Sequence, residues 1–429
     1  MIWLLIIVTF LILLLIYLCE KDIISPSFVF CGVFLIAELN VLTNVNKLNV
    51  RISEDTFIVV IGGILIFFIG SLIAGYIVKR IKFSPLLENR ELYLNKKNMT
   101  VLLFFNIFSI GILLSEVYKL TIEKAMYSGS ILGVLSAYAE VSKFQSIDMS
   151  ISTMGTLLAV ICEAEGYTLG YIIADNWARK KNVSKVSIWC FITAFLSTFC
   201  QGSRGGVFMI IVAIFVFVLA YREERNINNV GFKLIFEMLL VVCLSIGIFQ
   251  AIGVITGKMW NISFYDYFSV YLGDPLINLN TKLHEGIIRS QVMGQTSFPT
   301  LVKKIFQVCG REIPSYYGLS NFQYYEGHNL GNVYTIFAYL IADYGVLGMF
   351  MVLLIIGFCI QSMYIIAKKC KTQTSVERVI WAYMLASVAF SFFSNKICEN
   401  ITFFRLIMFV FVWLLMKNMF TRPAMKSQA

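Results

Sequence analysis

Residues 2–18 read IWLLIIVTFLILLLIYL, a run with no charged group. As a helix rising ~1.5 Å per residue, it measures ~25 Å, close to the ~30 Å hydrocarbon core of a bilayer. Predominantly apolar runs, some holding a single charge or a pair, recur at 26–42, 56–78, 99–117, 151–174, 186–200, 207–221, 234–255, 346–367, 379–394 and 401–416. Charged residues make up 14% of the 429-residue chain and hydrophobic ones 59%, with mean hydropathy +0.79. A soluble domain carries about 25% charged residues. The sequence therefore reads as an all-α polytopic membrane protein with about eleven transmembrane helices. Residues 1–429 read as a single integral membrane domain. The first run is expected to stay on the chain. It has no basic n-region, and Glu20-Lys21-Asp22 stands where a signal peptide has its small-residue cleavage site.

Basic residues set the orientation, because Lys and Arg are retained on the cytoplasmic side. With the N-terminus outside, the internal segments hold Lys79, Arg80, Lys82, Arg179, Lys180, Lys181, Arg222, Arg225, Lys368, Lys369, Lys371 and more, whereas the short external loops hold only Lys47, Arg51, Lys119, Lys124, Lys143 and Lys396. That places the polar stretch 256–331 outside. Residues 332–344 carry Asn332, Thr335, Tyr339 and Asp343 along one helical stripe, and Gly345 and Gly348 separate them from the next run. They read as an amphipathic helix at the outer surface or dipping into it, so that 256–345 forms one large external loop with an interfacial helix.

Most of the ten cysteines sit in apolar runs, where they behave as small hydrophobes. Only Cys309 and Cys398 are expected near an oxidising exterior, and no cysteine or histidine spacing fits a metal site.

Three features gather at the expected outer face. Gln201-Gly202-Ser203-Arg204-Gly205-Gly206 is a glycine turn whose backbone N–H groups and Arg204 suit phosphate oxygens; equally, the glycines only turn the chain and Arg204 snorkels to headgroups. Arg405 lies about 6 Å into the last run, a depth that requires either a wet cavity or outward snorkelling. His328-Asn329 follows Tyr324-Tyr325-Glu326-Gly327, and both histidines of the chain, His284 and His328, fall in the external stretch. Aromatic rings with polar tips, Tyr324 and Tyr325 among them, suit sugar faces as well as a membrane interface belt. Glu163 and Glu165 sit inside a span on different helix faces. Glu163 has two readings, as a partner for an arginine of another span or as a substrate-binding group.

Gly202-Ser203-Arg204-Gly205 resembles the turn of bacterial O-antigen and capsule repeat-unit polymerases. His328-Asn329 followed by Asp343-Tyr344-Gly345-Val346-Leu347-Gly348 resembles the His-Asn … Glu-x-Gly-x-x-Gly pattern of the O-antigen polymerase and ligase superfamily, with Asp343 where Glu is usual. Asn332-Val333-Tyr334-Thr335 resembles the polymerase (Wzy-type) side of that group. The resemblance implies a GT-C-like, metal-independent glycosyltransferase without a cofactor. It acts on undecaprenyl-diphosphate-linked glycans at the outer leaflet of the bacterial plasma membrane. On that reading His328, Arg204 and Arg405 are catalytic, while Ser203, Gly205, Asn329, Tyr324, Tyr325, Tyr334 and Glu163 contact substrate. Partners would be the bilayer, the lipid-linked glycans and, within the same pathway, a chain-length regulator and a flippase, with no nucleic acid. An O-antigen ligase, or a flippase or other transporter of lipid-linked oligosaccharide, is the competing function.

Overall fold

The computed structural model describes residues 1–81, 90–92, 95–127, 129–144, 149–178, 183–200, 204–224, 247, 263–316, 318–319, 321–325, 327–370 and 375–423. In chain order, the first part comprises α1 (Ile2–Glu20), α2 (Pro26–Leu48), α3 (Glu54–Val78), β1 (Arg90–Leu92), α4 (Lys96–Ala125), α5 (Ile131–Phe144), α6 (Thr153–Ala178), α7 (Lys185–Phe199) and α8 (Arg204–Glu224). Then come α9 (Phe264–Leu272), α10 (Asp274–Glu285), α11 (Pro299–Val308), β2 (Gln323–Tyr325), β3 (His328–Gly331), α12 (Ile336–Lys369), α13 (Val376–Ala389), α14 (Lys396–Asn400), α15 (Phe403–Phe420) and β4 (Thr421–Pro423). Six described helices, α1, α2, α3, α4, α6 and α12, are long and apolar enough to cross a membrane. The chain is an all-α membrane protein. Helices α7 and α8 fall at the expected runs 186–200 and 207–221, and the run 234–255, Gly247 apart, lies outside the described residues.

Local chemistry starts these helices where the sequence turns polar. Ser25 accepts from the Phe28 amide with Pro26 in the first turn, and Ser53 accepts from the Thr56 amide ahead of Glu54 and Asp55. The acidic pair complements the helix dipole at the start of α3.

The chain packs as two compact units. The first comprises Met1–Phe83, Ile262–Lys369 and Met384–Thr402; the second comprises Ser84–Asn261, Cys370–Tyr383 and Phe403–Ala429. In the first unit, α3 and α12 run in backbone contact. A Cβ on Gly70 would lie 2.2 Å from the Leu354 carbonyl oxygen, and one on Gly357 would lie 2.3 Å from that of Phe67. Small residues allow this approach, which is how helices gain contact in lipid, where apolar burial gives no preference. Phe337 fills the space over Gly63 and joins Phe30, Phe34 and Phe67 in one aromatic stack, with Phe30 and Phe67 4.3 Å apart and nearly parallel.

The packing bears on the reading of 332–344. A helix begins at Ile336 and is separated from the longer part of α12 by a kink at Gly345 (φ 72°, ψ 179°), a conformation that L side chains rarely adopt, as the glycine there predicts. Ile336, Phe337, Ala338 and Leu340 are fully buried, so this part of α12 dips into the core of the first unit. Its polar stripe faces a loop of the same chain. Asp343 accepts hydrogen bonds from Ser290 Oγ (2.6 Å) and from the Thr296 and Ser297 amides, and Thr296 Oγ1 donates to the Tyr339 carbonyl.

In the second unit α4, α6, α7, α8 and α15 pack together. Tyr171 meets Phe217 and Trp413 edge-on. α5, in a stretch expected to be an external loop, lays Val134, Leu135, Tyr138 and Val141 against Val117 of α4. The short strands β1 and β4 pair antiparallel, Glu91 opposite Arg422.

Candidate functional site

Tyr324, Tyr325, His328 and Asn329 come together on one antiparallel hairpin, with Tyr325 opposite His328 and Tyr324 opposite Asn329. Gly331 (φ 75°) turns the chain at its end, where a Cβ would press on Val270 Cγ1 of α9 at 2.9 Å. The hairpin is fixed from below by Asn278 of α10. Its fully buried amide donates to the carbonyls of Leu330 (3.1 Å) and Val333 (2.9 Å). Two carbonyls inside the protein need such donors, because an unpaired buried acceptor costs about 1–3 kcal/mol.

His328 and Tyr324 are exposed on this rigid support, and Tyr325 is half-buried. Asn329 is exposed as well, but its side-chain oxygen accepts from the Gly331 amide at 2.8 Å, so part of its hydrogen-bonding capacity shapes the turn. Tyr334, expected among the substrate contacts, is completely buried and offers no face to a sugar in this arrangement.

The neighbourhood of His328 contains residues that motif reading did not pick out. Asp266, in the first turn of α9, forms an ion pair with Lys47 in the last turn of α2. The hydrogen bond from Lys47 holds the Asp266 carboxyl below its usual range. Asp274 opens α10 almost wholly buried, and burial pushes its carboxyl up to about 7. Asn40 and Asn44 of α2 both donate to Ser269 Oγ. Asn280 of α10 accepts from the Ser53 amide (2.8 Å) and from Thr56 Oγ1 (2.9 Å) while donating to the Arg51 carbonyl. Much of the polarity of 264–285 is thus spent in joining α9 and α10 to α2 and α3. A sequence signal existed in the spacing of Asp274, Asn278 and Thr281 on one side of α10, but it does not distinguish internal bolts from a wet face.

The second unit holds the arginines. Arg405 Nη1 donates to both carboxylate oxygens of Glu163, at 3.1 and 2.9 Å, and to the Tyr383 hydroxyl at 3.2 Å. Tyr383 and Tyr167 pack edge-to-face at 5.1 Å, with Phe409 against both. Of the two readings of Glu163, the structure places it as an arginine partner. Simple snorkelling of Arg405 to lipid is excluded by the same contacts, although 30% of its side chain remains accessible. Glu165 points elsewhere, accepting from Asn106 at 2.7 Å, while the same Asn106 amide nitrogen reaches the Cys190 carbonyl and Thr193.

Ser203 lies outside the described residues. Arg204 begins α8, but its side chain is also outside what is described. Gly205 is partly buried in the first turn of α8. His328 belongs to the first unit and Arg204, Arg405 and Glu163 to the second.

No protein family, curated protein or solved structure matches this chain.

Proposed function

We propose that this protein is a metal-independent glycosyltransferase that joins undecaprenyl-diphosphate-linked oligosaccharide repeat units at the outer leaflet of the bacterial plasma membrane, extending an O-antigen, capsule or exopolysaccharide. The observation that carries this reading is the His328-Asn329 hairpin. It presents an exposed imidazole beside tyrosines on a support bolted by Asn278, immediately before a helix broken at Gly345. The full set of about eleven spans, the GT-C-like arrangement, the external N-terminus and the cytoplasmic C-terminus belong to the same proposal, supported by the bias of Lys and Arg among the loops.

In the proposed step, the acceptor hydroxyl of the incoming repeat unit attacks the anomeric carbon of the growing chain. Its O–H proton passes to the His328 imidazole, and the bond between that carbon and the diphosphate oxygen breaks with its electron pair leaving on undecaprenyl diphosphate. Arg204 and Arg405 would stabilise the charge that develops on the leaving group. Because Arg405 is bonded to Glu163 here, the diphosphate would share or replace that carboxylate. Tyr324 would offer its exposed ring to a sugar.

The test is His328→Ala at normal protein level. Polymer should be lost while lipid-linked repeat units accumulate in the outer leaflet, and His284→Ala should polymerise normally. Normal polymer from His328→Ala would remove the imidazole from the mechanism. A ligase would show normal chain lengths left on the lipid carrier. A transport function has one observation in its favour, the ionisable groups Glu163, Glu165 and Arg405 inside the second unit. It predicts instead that repeat units stay in the inner leaflet when Arg405 is replaced.

A further inference from the structure

Between α10 and α12 the chain forms α11, a ten-residue helix with two apolar sides. One faces inward, where Val302 is buried and touches the ideal Cβ position of Gly294. The other comprises Leu301, Ile305 and Val308, at i, i+4 and i+7, which are 54%, 51% and 89% exposed. Three large apolar side chains in one exposed stripe on a polar segment call for a covering phase.

The position of α11 along α12 says which phase. The loop leading into it is tied to α12 at two places: the Ser290 amide donates to the Ala342 carbonyl (3.0 Å), and Asp343 receives Ser290 Oγ and the Thr296 and Ser297 amides. On α12 the row Leu347, Met351 and Ile355 begins four residues after Asp343, and these side chains are 81%, 64% and 57% exposed. On a helix long and apolar enough to cross a membrane, such a row faces acyl chains. Asp343 therefore marks the boundary of the hydrocarbon to within about one helical turn, ~5.4 Å, and α11 is anchored at that boundary. Lys304 flanks the apolar stripe on the helix surface, Lys303 lies farther round and Arg311 follows the helix, all exposed. An apolar stripe edged by basic residues is the pattern of a helix lying in the plane of a bilayer surface that contains anionic lipid.

We infer that α11 is an interfacial membrane-binding helix, with Leu301, Ile305 and Val308 inserted among the acyl chains at the Gly345 end of α12 and Lys304 at the phosphates of anionic lipid headgroups. The inference does not depend on the polymerase reading.

The experiment uses full-length protein without native cysteines in nanodiscs of phosphatidylglycerol or phosphatidylcholine. A nitroxide is attached singly at position 305 or 308, with position 347 as the acyl-chain reference and 324 as the aqueous reference. Collision with oxygen, which concentrates in the bilayer, is compared with collision with a water-soluble nickel chelate. Positions 305 and 308 should follow 347, with oxygen collisions exceeding nickel collisions several-fold. Val308 is 89% exposed, so a label there leaves the packing intact even if one at 305 disturbs it. Values like those of 324 at both positions would overturn membrane insertion, and shielding from both reagents would show a protein covering the stripe and overturn it equally. Lys304→Glu should raise nickel access at 308 in phosphatidylglycerol and leave it unchanged in phosphatidylcholine. Equal behaviour in the two lipids would overturn the role assigned to anionic headgroups.

Discussion

Glu163 of α6 places both of its carboxylate oxygens on a single guanidinium nitrogen of Arg405 of α15, and the Tyr383 hydroxyl completes the contact. Removing one member of such a pair leaves an uncompensated charge away from water, at a cost of about 3–5 kcal/mol, whereas removing both is far less damaging. Glu163→Gln is therefore expected to lower the thermal stability of the purified protein sharply, and Glu163→Gln combined with Arg405→Gln should recover a large part of the loss. Additive losses across this double-mutant cycle would show that the two groups are not coupled.

Arg405 also carries a chemical prediction. A planar fork is needed to serve a carboxylate and a diphosphate together, and Lys supplies only a point charge. Arg405→Lys should reduce turnover on the order of 10²-fold, by analogy with the removal of one donor to a developing anion. Measured on lipid-linked repeat units, wild-type turnover would leave Arg405 with a structural role alone.

Asn278 should govern the hairpin at a distance from any chemistry. Asn278→Ala removes the donors to the Leu330 and Val333 carbonyls, and each buried acceptor left unpaired costs about 1–3 kcal/mol. Hydrogen exchange should accelerate across 323–333 while the start of α3, held by Asn280, keeps its protection. Unchanged exchange in the hairpin would mean that β2 and β3 are held by their own pairing.

Helices α9 and α10 should lose stability as pH rises through the weakly acidic range. Asp274 has a carboxyl raised to about 7 in the folded protein, chiefly by burial, against about 3.9 in an unfolded chain. Its contribution is fully present below about pH 4 and is lost as pH climbs to about 7, because the unfolded state gives up its proton first. Asp266 acts in the opposite sense, since its lowered carboxyl supports folding above about pH 4 and loses effect in stronger acid. Amide exchange over 264–280, corrected for intrinsic rates, should therefore speed up between pH 4 and 7, and Asp274→Asn should flatten the profile. A profile unaltered by Asp274→Asn would refute the assignment.

The glycine seam allows a contrast between its two helices. Gly357→Ala drives a methyl group to 2.3 Å from a backbone oxygen, whereas a Cβ on Gly75 of α3 meets nothing within 4 Å. Overpacking of this kind costs about 1–3 kcal/mol or more, so Gly357→Ala should melt well below Gly75→Ala and the parent protein. Equal melting temperatures would mean that α3 and α12 separate freely.

The sequence was most legible where one physical effect dominates. Long uncharged runs such as 2–18 and 56–78 have little choice in lipid but to close their own backbone hydrogen bonds as helix, and α1 and α3 lie over those residues. The break at Gly345 was legible for a similar reason, since glycine there is flanked by apolar helix formers. Legibility failed where polar residues have two uses. Asp343, Asn278 and Asn280 all bind backbone of their own chain, a use that residue type and spacing do not announce. Tyr334 failed similarly, because a tyrosine ring serves core and sugar equally well. Glu163 and Arg405 lie 242 residues apart, and no local spacing reveals that contact, only the high cost of an ionisable group at membrane depth.

The seam between α3 and α12 also fixes an order of events during biogenesis. Its two faces are separated in the chain by residues 79–335, which include the whole of α4 to α8. At translation rates of about 5–20 residues per second, α3 waits between roughly ten seconds and a minute in the membrane before its partner has been made. During that wait Gly63, Gly70 and their neighbours present a groove to whatever lies beside them. The first three helices thus need a temporary occupant, lipid or insertion machinery, and a defect in the seam would surface as degradation of newly made chains before it surfaced as loss of activity.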